Sequence, residues 1–273
     1  MDIVLMLGLI LLAMAAGLLG SVLGLGGGIV VVPVLTVLYG MPMHEAVAVS
    51  LTAIAAVSST SAAKLIGERV ANVRIGSVLE IGAAAGAVAG AVVALYVQSF
   101  VLAICFAAVL IYSAVYMFTR PEHPAENCAQ GTGNVFLYRD QRTGEDIPYT
   151  VRNIRTGMLG FFAAGISSAL SGVGGGTIKI PIMNVHMHIP MKAASATSSY
   201  VIGITAFSGA AVYLLSGVLD IPTAAVVTTG AFLGSVIGLR ILPKIDAGDL
   251  KRYFSSVLLF LAAVMILNAG GVI

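Results

Sequence analysis

The chain has 273 residues, 59% of them apolar and only 10% charged, with no tryptophan. A soluble domain carries charge on about a quarter of its residues, so the composition excludes one and points to an integral membrane protein. A net charge of +2 is too small to suggest nucleic acid as a partner, and the bases gather at a few loops, as orientation signals do.

In chain order, apolar segments long enough to cross about 30 Å of hydrocarbon occur at 3–23, 43–66, 75–97, 99–119, 155–172, 191–216, 222–242 and 252–272. The first lacks the basic region of a cleavable signal and runs directly into a glycine motif, so it is read as a retained span. Residues 29–39 and 177–189 are apolar but reach only about 17 to 20 Å as helix. They contain Pro33 and Pro181 and read as half-helices or broken spans. Cys105 lies in an apolar span and Cys128 in a polar loop, and both read as free thiols.

Each short piece follows a triple glycine: GLGGGIVVVPVL begins at Gly24 and GVGGGTIKIPIM at Gly172, an offset of 172 − 24 = 148 residues. Carried forward without a gap, that offset makes 12 of 31 positions identical between 24–54 and 172–202. It also places Gly82, Gly86 and Gly90 on Gly230, Gly234 and Gly238. Glycines and prolines in register identify an internal duplication. The glycine triplets at four-residue spacing are read as helix-packing ridges, within or between protomers.

Charge gives the relative orientation of the copies, because short cytoplasmic loops collect Lys and Arg. Lys64, Arg69 and Arg74 surround one turn of copy one, whereas its equivalent near 212–222 has no base and one acid, Asp220. Conversely, the turn at Gln98 and Ser99 has no base, while its equivalent carries Arg240, Lys244, Lys251 and Arg252. The copies are therefore expected to face opposite ways, each with four long spans and one short or re-entrant piece. Both termini then lie outside, and residues 120–154, with Arg120, Arg139, Arg142 and Arg152, lie in the cytoplasm. The expected fold is an all-α polytopic membrane protein of two inverted-topology repeats with Gly/Pro-broken helices: repeat one over 1–119, a linker over 120–154, repeat two over 155–273. Within the linker, NVFLYRDQRTGEDIPYTVRN alternates apolar and polar residues on both sides of a glycine turn, which predicts a small β-hairpin.

The glycine motifs lack the strand–helix context of a dinucleotide loop and the Gly-Lys-Ser/Thr of a P-loop. In a membrane they let the backbone leave helical geometry, which is tolerated only inside protein or beside a watery cavity. The freed N–H groups at each half-helix start suit an anion, and two oppositely facing copies would bring two such ends to one midplane site. Gly24, Gly26, Gly27, Gly28 and Pro33, with Gly172, Gly174, Gly175, Gly176 and Pro181, are therefore candidate substrate-site residues. The copies differ just after the glycines: Ile29 and Val31 in the first become Thr177 and Lys179 in the second. A lysine here either serves an anion or is discharged during transport, or it snorkels to an aqueous face. Ser50 and Thr52, with Thr197 and Ser198, offer hydroxyls to a desolvated anion or to neighbouring helices. Glu80 could carry a coupling proton, but six residues after Arg74 it is expected near the cytoplasmic interface and paired with that arginine. His186 and His188 lack the further ligands of a metal site, and neither a metal nor a cofactor is implied. No catalytic Ser-His or Cys-His set and no H-E-x-x-H falls within the spans, which excludes an intramembrane enzyme.

The paired segments GLGGGIVVVP and GVGGGTIKIP, with the run PMKAASATSSYVIGITA, resemble the sulfite exporter TauE/SafE family of permeases over nearly the whole chain. The resemblance implies a secondary carrier of small sulfur-containing anions such as sulfite or organosulfonates. It leaves open a channel or a carrier of other small anions such as carboxylates, coupling to protons or Na+, and a homodimeric assembly in the lipid bilayer. The linker is longer than a minimal connector, which leaves a regulatory role open.

Overall fold

The structure, a computed structural model, describes residues 3–23, 26–119, 135–140, 144–241 and 260–265. Helix α1 spans Ile3–Leu23. A short helix α2, Gly28–Pro33, continues into a π-helical turn over Val34–Leu38. Helices α3 (Met43–Gly67), α4 (Val73–Ala94) and α5 (Ser99–Thr119) follow. Strands β1 (Val135–Arg139) and β2 (Asp146–Thr150) pair antiparallel, Val135 opposite Thr150. Then come α6 (Ile154–Ser171), α7 (Gly176–Pro181) with a second π turn over Ile182–His186, α8 (Met191–Leu215) and α9 (Ile221–Ile241). Residues 260–265 are again helical.

Four of these, α3, α4, α8 and α9, are long and apolar enough to cross a membrane, and Met6–Ser21, Gly28–Leu38 and Ser99–Val115 are shorter apolar helices. Large apolar side chains such as Leu11, Ile81, Phe207 and Leu233 lie exposed on the outside. This is the arrangement a hydrocarbon solvent favours and water does not.

The 148-residue offset read from the sequence reappears in the backbone. The first residues of α2, α3 and α4 fall on those of α7, α8 and α9, and the two π turns coincide. Left-handed conformations coincide as well: Gly26 with Gly174, Gly27 with Gly175, Gly40 with His188, and Arg69 with Gly217. Each broken helix starts after two such residues, a conformation that costs a side chain about 1–2 kcal/mol and glycine almost nothing. Each reaches a proline at its sixth residue. Proline lacks the N–H for an i−4 bond, and the helix continues beyond it with the wider π spacing. The side chain of Asn72 accepts from the N–H of Ile75 to cap α4, and that of Asp220 accepts from Thr223 at the equivalent point of α9.

Packing exchanges partners between the halves. In α4, Gly82, Gly86 and Gly90 lie against the backbone of Met158, Phe162 and Ile166 in α6. In α9, Gly230, Gly234 and Gly238 lie against Ile10, Met14 and Leu18 of α1. The glycine triplets are thus packing ridges within one chain. Equivalent helices α3 and α8 meet at the centre and run antiparallel, with Leu51 at Gly209, Ile54 in the layer of Ile202, and Ser58 at Gly203 and the Ser199 carbonyl.

The hairpin forms where the alternation predicts it, with Gly144 left-handed in its turn. Tyr138 and Tyr149 are buried against Val70, Leu79, Met187 and Ile189. The Arg139 N–H donates to the Arg69 carbonyl, the Arg152 N–H to that of Met187, and Lys192 pairs with Asp140 at 3.0 Å. Asn72 donates to the Tyr149 hydroxyl at 2.6 Å, and burial pushes that phenol up from its usual range. The hairpin therefore seats on the basic α3–α4 turn and on the far end of the second broken helix.

Candidate functional site

The two glycine breaks meet. A side chain on Gly28 would collide with the Gly172 carbonyl of the other motif and lie 2.6 Å from the Ser50 hydroxyl. That hydroxyl donates to the same carbonyl at 2.7 Å. Added side chains on Gly26 and Gly174 would both run into the pair Ile54 and Ile202, which are equivalent residues of α3 and α8. Non-helical backbone from both halves is thus buried side by side, the one setting in which a membrane tolerates it. On α6, α7 and α8, Ser168, Thr177 and Ser198 each bury a hydroxyl that has no hydrogen-bond partner among the described residues. Buried polar groups are nearly always partnered, so three orphans on α6, α7 and α8 set this region apart.

One helical turn into α7 sits Lys179, completely buried. Its ammonium donates to Glu80 Oε2 of α4 at 3.2 Å and to the Thr205 hydroxyl of α8. The Thr205 hydroxyl in turn donates to the other carboxylate oxygen of Glu80. The Phe161 ring of α6 covers the ammonium, 5.5 Å from its centroid. Four elements therefore converge on one ion pair. Glu80 lies eight residues beyond the cap Asn72, about 12 Å along α4, so the pair stands well below the hairpin face. Among the described residues no group of three His, Cys, Asp or Glu could hold a metal.

The family description "Sulfite exporter TauE/SafE" matches residues 9–265. The chain belongs to the sulfite exporter TauE/SafE family. It is a multi-pass membrane transporter, and that family is a class of permeases and not of enzymes. The "Probable membrane transporter protein YunE" of Bacillus subtilis is 26% identical over 265 residues, covering 94% of this chain and 96% of the relative. The "Probable membrane transporter protein MJ0441" of Methanocaldococcus jannaschii is 26% identical over 274 residues, covering 95% and 94%. The "Sulfite exporter TauE/SafE family protein 5" of Arabidopsis thaliana is 34% identical over 83 residues, 30% of this chain and 18% of the relative. No solved structure matches.

For this TauE/SafE member the sequence-derived candidates divide into three groups. Gly26, Gly27, Gly28, Ser50, Gly172, Gly174, Gly175 and Gly176 gather where the breaks meet, with Thr177 and Ser198 buried and unpartnered. Pro33 and Pro181 set the π turns further along. Thr52 and Thr197 serve elsewhere: Thr52 pairs with Thr228 of α9 at 3.0 Å, and Thr197 accepts from the Asn72 N–H at 2.9 Å. Gly24 and Cys128 lie outside the described residues, and Cys105 is a free thiol.

Two expectations are corrected. Glu80 does not pair with Arg74 and is buried in the protein. Six residues are about 240° of helix, so Arg74 is exposed while Glu80 is 3% exposed and bound to Lys179. Lys179 does not snorkel, since none of its surface is exposed. His186 meets the Thr156 hydroxyl at 2.6 Å beside the hairpin face. Phe161, Ser168 and Thr205 escaped the sequence reading, although Ala13, Gly20 and Val57 at the equivalent positions mark all three as departures between the copies.

Proposed function

We propose that this protein is a secondary carrier of a small anion in the cell membrane, the anion being sulfite, an organosulfonate or a related sulfur-containing species. It works by alternating access of two inverted-topology repeats about a midplane site. In this reading the repeats supply eight long spans and two broken ones, repeat one over 1–119 and repeat two over 155–273. The observation that carries it is the meeting of the two glycine breaks between α3 and α8, equivalent helices that run antiparallel. A pseudo-two-fold of this kind lets one half rock against the other while the site stays central. Ser198, Thr177 and the glycine N–H groups supply donors for an anion, Ser50 holds the Gly172 carbonyl beside them, and Lys179 supplies charge from one turn away.

Both termini outside and 120–154 inside is the matching orientation. Its support is that the hairpin, the basic α3–α4 turn and Lys192 share one face, as cytoplasmic segments must. The names of the relatives support transport, and the family name supports sulfur anions. The test is uptake into proteoliposomes across a panel of sulfite, thiosulfate, methanesulfonate, sulfoacetate and acetate. A carrier gives saturable uptake and counterflow, with the sulfur anions preferred. Uptake linear in concentration would indicate a channel, and preference for acetate would replace the sulfur anions with carboxylates. Cysteines placed at Asp220 and Gly248 should react with an impermeant reagent from opposite sides of the membrane, and equal access to both from one side would overturn the orientation.

A further inference from the structure

The buried pair Glu80–Lys179 is more than a staple of the fold, and the molecule carries its own control. At the place related to it by the duplication, the same backbone is built around Val31 in place of Lys179, Val57 in place of Thr205, Thr228 in place of Glu80 and Ala13 in place of Phe161. Val31 and Val57 are as buried as their counterparts, and Thr228 satisfies itself on Thr52. Two charges taken out of solvent seldom stabilise a fold better than apolar side chains of similar size. Their presence at only one of the two related places, on helices that also carry three hydroxyls unpartnered among the described residues, points to use in transport.

We propose that Glu80 is a tethered stand-in for the transported anion: it occupies Lys179 in the empty carrier, and a substrate anion takes its place as Glu80 accepts a proton, so one proton crosses with each monovalent anion. This rests on the carrier reading above and names its coupling ion. The exchange balances as Lys–NH3+ with Glu–COO−, plus an anion and H+, giving Lys–NH3+ with the anion, plus Glu–COOH. The centre is neutral before and after, so it crosses low-dielectric surroundings without an unpaired charge. Thr205 bridges both partners and hands its hydrogen bonds from one arrangement to the other.

Among the described residues no other charge competes for the proton. Lys179 is the charged group acting on Glu80, and Glu80 on Lys179. From α8, Tyr200 meets Ser77 and Tyr213 donates to the Ala169 carbonyl. Arg74 of α4 and Arg155 of α6 are exposed at the helix ends. A sodium ion would need several oxygen ligands, whereas both carboxylate oxygens of Glu80 are engaged and one faces an ammonium.

The test uses proteoliposomes with an entrapped pH dye, given methanesulfonate, sulfoacetate, sulfite or thiosulfate, with protein-free vesicles subtracting passive flux of acid forms. With the wild type, a gradient of one pH unit, alkaline inside, should drive about tenfold accumulation of a monovalent anion, with proton entry matching anion entry. Glu80→Gln should equilibrate its anion without accumulation or proton flux. Saturable uptake by the wild type that ignores the gradient overturns the coupling and leaves the carrier intact. No saturable uptake of any probe removes the carrier reading and this inference with it. A second arm needs no substrate. The triple variant Lys179→Val/Glu80→Thr/Thr205→Val installs the residues of the equivalent positions and should melt no lower than wild type in detergent, whereas a clearly lower melt would make the pair structural and overturn the proposal.

Discussion

Ala13, Val31 and Val57 of the first half, with Thr228 of the second, hold the positions that Phe161, Lys179 and Thr205 of the second half, with Glu80 of the first, hold in the charged cluster. Around the first set the helices leave a small pocket lined only by apolar side chains, among them Leu9, Ala13, Val31, Leu35 and Val227. Around the second the space is taken up by a phenyl ring, an ammonium and a carboxylate. Backbone dihedrals, π turns and helix caps are shared, so the difference lies in side chains alone. The apolar cluster thus shows what the fold requires, and the charged one shows what has been added to it.

The comparison can be broken most forcefully at its charged centre. Lys179→Ala leaves Glu80 buried without its countercharge. It should abolish pH-driven anion uptake and destabilise by about 3–5 kcal/mol, read as a lower apparent melting temperature in detergent. Its counterpart Val31→Ala trims a side chain already facing a pocket and should cost about 1–2 kcal/mol, with uptake unchanged within a factor of about two. Equal losses from both would mean that the two halves carry transport alike. A smaller effect sharpens the contrast at the helix caps. Asn72→Ala removes a cap together with the bond to Tyr149 of the hairpin, whereas Asp220→Ala removes a cap alone. Each cap contributes about 0.5–2 kcal/mol and a neutral hydrogen bond about 1 kcal/mol, so Asn72→Ala should melt lower; matching melts would show that the hairpin adds no stability there.

The duplication was legible because glycine and proline act through the backbone. A left-handed residue at 26 or 174, and a missing N–H at 33 or 181, leave few choices of side chain, and these positions stand out even among Val and Ala. The hairpin was legible because period-two alternation over about five residues is itself a strand signal. The ion pair was not legible. Glu80 and Lys179 are 99 positions apart, on different helices of different halves, and Arg74 offered a nearer but wrong-facing partner. Comparing the halves only after the glycines found Lys179 and Thr177. Extending that comparison to every helix would have exposed Phe161, Ser168, Thr205 and Glu80 together, because each breaks a match to Ala13, Gly20, Val57 and Thr228.

The glycine ridges carry a consequence for how the chain is made. Helix α1 is synthesised long before α9, yet the ridge that holds it, Gly230 to Gly238, belongs to α9. More than 200 residues must be translated before that partner reaches the bilayer, at about 5–20 residues per second. During those seconds the α1 backbone beside Ile10, Met14 and Leu18 waits among lipids. The nascent first half is therefore an unfinished interface, and a truncated chain ending before α9 would present to quality control a helix whose glycine-ridge partner is missing.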